Sequence, residues 1–156
     1  MNILYTQLNI FDIPMTKGGR EAVCVTTNGV VKKDGHAVMG KGIAKEADDR
    51  YACSKRLGDM LNAYGNHVYA LKIVAEGFHL VSFPTKYDWR DDSDINLIIQ
   101  SAKELVSLCN QIGIKRCYLP KPGCANGRLN WEKQVFPAIV NILDDRFTVV
   151  IRDWGI

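Results

Sequence analysis

Two glycine-rich stretches and one lysine carry the chemistry this chain can do. Val38-Met39-Gly40-Lys41-Gly42-Ile43-Ala44 stands just before a helical pattern. Gly123-Cys124-Ala125-Asn126-Gly127 follows a short β pattern and runs on to Arg128-Leu129-Asn130-Trp131. Glycine allows backbone N–H groups to approach a ligand closely, and helix N-termini attract anions. Two such loops in one α/β chain suggest a ligand with more than one phosphate, held along its length. Lys86, in Phe83-Pro84-Thr85-Lys86, lies at a strand end. A lysine there is usually a surface charge, but one beside a ligand is an amine that can attack an electrophilic carbon or trade protons. Asn28, after a second strand, can both donate to and accept from sugar hydroxyls, though taken alone it reads as a turn residue. Trp89 and Arg90 follow Lys86 and could stack on a nucleobase and grip its phosphate.

Each loop has a plainer reading. A lone Gly-x-Gly is weak, and neither the dinucleotide fingerprint nor the phosphate-binding GK[ST] signature is present. Gly123–Gly127 could be only a tight connection, with Trp131 as a core anchor. Cys124 has no histidine near it in sequence, so it reads as a small loop residue rather than a nucleophile. His36, His67 and His79 are scattered, and nothing suggests a metal site or a cofactor.

The elements that must position these residues follow from periodicity. Strand patterns are read at Asn2–Leu8, Glu21–Thr26, His67–Val74, Phe78–Pro84, Lys115–Leu119 and Phe147–Arg152. The third and fourth should form a hairpin about Glu76-Gly77. Helices are read at Gly42–Tyr51, at Ser54–Tyr64 (a second helix or a continuation) and at Asp94–Ile112. The last carries an apolar stripe through Ile98, Ala102, Leu105 and Cys109, with Asp92 or Ser93 as its cap and Gly113 at its end. Asn130 should cap a turn that starts at Trp131, and Pro137 should break or restart the segment. Strands alternating with helices imply a largely parallel sheet covered on both faces, made mixed by the hairpin. In such sheets ligands bind beyond the carboxyl ends of the strands, which is where both loops, Asn28 and Lys86 lie.

Composition sets the outer bounds. The chain has 156 residues, enough for one domain with a core. A net charge of +3 does not demand nucleic acid, though it tolerates a polyanionic partner. Five cysteines without a CxxC pair argue against disulfides and a zinc site, and so favour a reducing cytoplasm. No signal peptide is read at the N-terminus, and no apolar run approaches the ~20 residues of a membrane span. Nothing argues against a monomer.

Three anchors in this order, Val38–Ala44, Phe83-Pro84-Thr85-Lys86 with Trp89-Arg90, and Gly123-Cys124 with Asn126-Gly127, Leu129 and Trp131, resemble the macrodomain family, ADP-ribose-binding α/β/α modules. More narrowly, they resemble the antitoxin branch that removes ADP-ribose from thymidine in DNA. The resemblance covers most of the chain, so 1–156 is expected to be a single three-layer α/β/α macrodomain with a mixed central sheet. It implies that Asn28 faces the distal ribose, that Met39, Gly40, Lys41, Gly42 and Ile43 hold pyrophosphate and ribose, and that Gly123, Cys124, Ala125, Asn126 and Gly127 wrap the phosphates from the other side. Lys86, beside Thr85, matches the family's catalytic lysine. Asn9, followed by Ile10, sits where many macrodomains carry an aspartate that reads the adenine amino group. Gly127 stands where the glutamate-linkage glycohydrolases place a catalytic aspartate, which favours the DNA-type branch. Residues 29–36 look like an insertion that could shield the site or contact a partner. The implied partners are ADP-ribose or an ADP-ribosylated substrate, with single-stranded DNA touching Trp89 and Arg90. A phosphatase acting on ADP-ribose 1″-phosphate and a non-catalytic ADP-ribose reader are the alternatives.

Overall fold

A computed structural model describes residues 1–152. Six strands form one sheet in the order β1-β6-β5-β2-β4-β3: β1 (Asn2–Thr6), β2 (Glu21–Thr27), β3 (Tyr69–Ile73), β4 (His79–Pro84), β5 (Arg116–Pro120) and β6 (Phe147–Arg152). Every pairing is parallel except β3 with β4, the expected hairpin. The four α-helices are α1 (Gly42–Tyr51), α2 (Ser54–Tyr64), α3 (Ile95–Ile112) and the short α4 (Phe136–Ile139).

Alternation along the central strands separates two cores. Val23, Val25 and Leu80 pack with Ala44, Ala47, Leu57 and Leu61 of α1 and α2. Ala22, Cys24, Val81 and Phe83 face the other way, against Ile98, Ala102 and Leu105 of α3 and Ile139 of α4. This is the period-two pattern of strands covered on both faces. The result is the three-layer α/β/α arrangement with a mixed sheet that the sequence implied.

The departures are local. β1 stops at Thr6 rather than Leu8, because Thr6 Oγ1 accepts the Leu8 N–H and turns the chain. β3 starts at Tyr69 rather than His67. The Val68 N–H goes to Glu104 on α3, and the same carboxylate takes His67 Nδ1. α1 and α2 are separate helices, broken at Ala52, which adopts a left-handed conformation. The cap of α3 is Asp94, not Asp92 or Ser93: its carboxylate accepts from the Asn96 and Leu97 N–H groups. Ser93 is engaged elsewhere, its N–H donating to the Gly127 carbonyl. Pro137 falls in the first turn of α4, after a π-helical turn over Trp131–Val135 that Asn130 caps.

Residues 29–36 form a small hairpin rather than a lid. Val31 bridges Ala37, Lys32 N–H donates to His36, and Gly35 N–H returns to Lys32. The hairpin is anchored on α2, where the Ala37 N–H donates to the Ser54 carbonyl.

Candidate functional site

The carboxyl ends of β2, β4 and β5 open onto a cavity of about 450 Å³. That volume lies in the range of small-molecule sites. Its walls are the strand-end residues Thr26, Thr27, Asn28, Thr85 and Lys86, the loop Val38–Ala44, and Pro120, Lys121, Gly123, Ala125, Asn126 and Gly127. Trp89 and Ser93 complete it. The two glycine loops therefore face each other across one trough. Three lysines (Lys41, Lys86, Lys121) line it and, among the described residues, no carboxylate does, a balance of charge that favours an anion.

The first loop becomes α1 at Gly42. This residue has φ +59°, a conformation that a side chain disfavours, and a Cβ there would lie 3.3 Å from Asn126 Nδ2. The two loops thus approach each other at Gly42 and Asn126. Lys41, at the N-cap, makes no side-chain capping bond, so no side chain of the cap residue covers the first-turn N–H groups, the positive end of the helix dipole.

The second loop is held by its own backbone and by Ser93. Leu129 N–H donates to Gly123, and Ser93 N–H to Gly127. Position 127 has no room for a side chain: a Cβ would sit 2.0 Å from Ser93 Oγ and 2.6 Å from the Gly123 carbonyl. Ser93 is 8% exposed, and its hydroxyl has no partner among the described residues.

Lys86 follows the last ladder bond of β4, from Thr85 N–H to Thr27. Its Nζ donates across the trough to the Asn126 carbonyl at 3.3 Å. Asn28 lines the cavity, but its carboxamide serves the loop: Nδ2 donates to Val38 and Oδ1 accepts from the Val30 N–H. The turn role read for a lone asparagine is therefore present, with one donor and one acceptor site left over.

Four of the expected site residues are not in the cavity wall. Asn9 gives Nδ2 to both oxygens of Glu46 on α1 and caps the 3-10 turn Ile10–Asp12 through Oδ1, so its carboxamide is occupied. Ile10 is buried in the core beneath α1. Cys124 donates to the Pro122 carbonyl, and burial pushes its thiol up, with Lys121 opposing only in part. Arg90 is held in a fork by Asp88, through Nε at 2.9 Å and Nη2 at 2.7 Å. That fork drives the Asp88 carboxyl down to about 2. Arg90 also lies over the Trp89 ring, 5.6 Å from its centroid, and Trp89 is 49% exposed at the cavity edge. Within 86–94, Asp88, Asp91, Asp92 and Asp94 outnumber Lys86 and Arg90.

Sequence reasoning missed Thr26, Thr27, Lys121 and Ser93. They reach the cavity only because β2, β4 and β5 are neighbours in the sheet. The insertion does not shield the trough, since none of residues 29–36 lines it. All five cysteines are free thiols. Among the described residues, no group of three His, Cys, Asp or Glu could hold a metal ion, and no helix is long and apolar enough to cross a membrane.

No family model matches the chain. It is 28% identical over 130 residues to the DNA ADP-ribosyl glycohydrolase of Mycobacterium tuberculosis, a match covering 76% of this chain and 34% of that protein. The chain thus spans about a third of the length of the curated relatives it matches. Among solved structures it is similar to the macrodomain of Mycobacterium tuberculosis DarG, with a TM-score of 0.74, 26% identity and 98% of each chain covered. It is also similar to Thermosipho africanus DarTG in complex with ADP-ribose, with a TM-score of 0.74, 22% identity, 98% of this chain and 42% of that one. The fold is that of a macrodomain, as the three anchors implied.

Proposed function

We propose that this macrodomain binds ADP-ribose in the trough and releases it by hydrolysis from a modified nucleobase, thymidine in DNA, or from a related ADP-ribosyl derivative. One observation carries the reading: two glycine loops, three lysines and the start of α1 converge on one cavity that no carboxylate lines among the described residues. The activity for which the Mycobacterium tuberculosis relative is named agrees with it.

In this reading the diphosphate lies between Gly40–Ile43 and Gly123–Gly127, where backbone N–H groups and the α1 dipole offset its charge. The distal ribose points toward Lys86 and Asn28. Holding it there supplies on the order of 7–11 kcal/mol of the barrier in favourable cases. The bond from the anomeric carbon to the base nitrogen breaks, the carbon gains the oxygen of water, and the base nitrogen gains a proton. Lys86 has two roles open to it: nucleophile toward the anomeric carbon, or donor of the proton that leaves with the base. Thr85, buried at the strand end, fixes the backbone beneath that amine.

Trp89 offers an exposed ring for the released base or the flanking strand. Arg90 is a weaker candidate for DNA phosphate, because Asp88 already satisfies its fork. Action in the cytoplasm as a monomer completes the proposal.

The test is incubation with an oligonucleotide carrying ADP-ribosylated thymidine, with separate assays for freed ADP-ribose and for phosphate from ADP-ribose 1″-phosphate. Freed ADP-ribose and restored thymidine support the reading. Phosphate release alone would favour the phosphatase, and saturable binding without turnover the reader.

A further inference from the structure

Where β4 ends, four successive carbonyls leave the sheet, and each is held by a partner. Pro84 accepts from the Ser101 hydroxyl at 2.7 Å, and Thr85 from the Asp94 N–H at 2.9 Å. Lys86 accepts from Asn66 Nδ2 at 3.1 Å, and Tyr87 from the Gly29 N–H at 3.1 Å. The backbone of Lys86 itself thus rests on a side chain from the α2–β3 connection, 20 residues away. Gly29 makes room for this contact. A Cβ there would lie 3.1 Å from Asn66 Cγ, Asn66 Nδ2 and the Tyr87 carbonyl.

From this arrangement we propose that Asn66 is a positioning residue for Lys86, acting from outside the cavity wall. The residues just after β2 and those just after β4 converge on one carboxamide. Asn28 begins the first group and Lys86 lies in the second; the Gly29-to-Tyr87 bond joins the two groups directly, and Asn66 holds the Lys86 backbone beside it. A lysine side chain is long and flexible, and its amine finds a repeated position only if its Cα is fixed. Misplacement of a reacting group by about 1 Å is enough to cost on the order of 100-fold in rate. Removing Asn66 Nδ2 frees the Lys86 carbonyl and lets the segment 86–87 shift. The glycine loops, which hold the diphosphate, do not touch Asn66.

This inference rests on the reading of Lys86 as the working amine, so two measurements keep the two apart. The first is amide hydrogen exchange across 86–90 in the full chain, which needs no activity. In Asn66→Ala, exchange there should rise roughly tenfold while residues 40–46 keep their protection. Unchanged exchange overturns the proposal whatever the enzyme does. The second is turnover on the ADP-ribosylated oligonucleotide. Asn66→Ala should lower kcat about 10- to 100-fold, with KM and the Kd for ADP-ribose within about twofold. Gly29→Ala, which crowds Asn66 without entering the cavity, should lower kcat in the same direction. An unchanged kcat in Asn66→Ala, or a fall in kcat matched by an equal loss of affinity, contradicts the positioning role. A wild-type chain that releases no ADP-ribose is a separate result: it strikes the proposed function and leaves the exchange measurement to decide on Asn66.

Discussion

The amine of Lys86 donates to the carbonyl of Asn126 across the trough, at 3.3 Å. It joins the end of β4 to the second glycine loop and places this strand-end amine against the segment proposed to wrap the phosphates. The carbonyl is a neutral partner that an arriving ligand can displace. Lys86→Ala should therefore lower the rate of ADP-ribose release by about 100-fold or more, the usual scale of a lost proton-transfer group or nucleophile. Affinity for free ADP-ribose, set mainly by backbone groups, should change by only a few fold. Single-turnover release kinetics beside a binding titration check both halves.

Gly127 and Ser93 compete for one space. A methyl group at position 127 would meet Ser93 Oγ at 2.0 Å and the Gly123 carbonyl at 2.6 Å. Gly127→Ala should cost about 2 kcal/mol through overpacking, which at this chain length is a Tm drop of about 4–8 °C. Ser93→Ala should leave Tm unchanged or slightly raised, because the lost hydroxyl has no partner to forfeit. Differential scanning calorimetry on both variants decides it. A large loss in Ser93→Ala would mean that the hydroxyl is bonded in solution.

Glu21 sets an acid limit on stability. Burial alone would raise its carboxyl, but hydrogen bonds from the Thr16 hydroxyl, the Thr16 N–H and the Met15 N–H outweigh it and hold the carboxyl below its ordinary value of 4.5. A carboxylate depressed on folding contributes stability that is present above its unfolded pKa and lost as pH falls through the folded one. The wild type should thus lose stability progressively below about pH 4.5. Glu21→Gln should be less stable at pH 7 by about 1 kcal/mol and show a flatter profile over the acid range. Urea unfolding from pH 7 to pH 3 measures both slopes.

Cys124 sits inside the second glycine loop without the setting of a reactive thiol. Burial raises its pKa and its Sγ–H is given to Pro122. Cys124→Ala should keep ADP-ribose release within about twofold of wild type in the same assay. A loss of 100-fold would restore the nucleophile reading.

The legible part of the site was the part written in consecutive residues. The Val38–Ala44 loop opens α1 at Gly42 as its glycines suggest, and Pro84-Thr85-Lys86 ends a strand where the β-rich run ends. The alternation of strands and helices, with one hairpin, was enough for the layers of the fold. What escaped was decided between distant positions. Asn9 stands at the position expected to read adenine, yet Glu46 lies 37 residues on and takes its amide. Ser93 looked like a helix cap, but Gly127 draws its N–H away and Asp94 takes the role. Lys121 and Thr27 carry no motif; they line the trough because β5 and β4 both flank β2. Asn66 is silent in sequence for the same reason.

The central claim is that the trough between the two loops is an ADP-ribose site, and calorimetric titration of the full chain with ADP-ribose tests it most directly. The account predicts saturable one-to-one binding that Gly42→Val weakens by tenfold or more. At that position φ is +59° and Asn126 Nδ2 stands 3.3 Å from a Cβ. Absence of binding by the wild-type chain, or binding that a folded Gly42→Val variant retains in full, would contradict it.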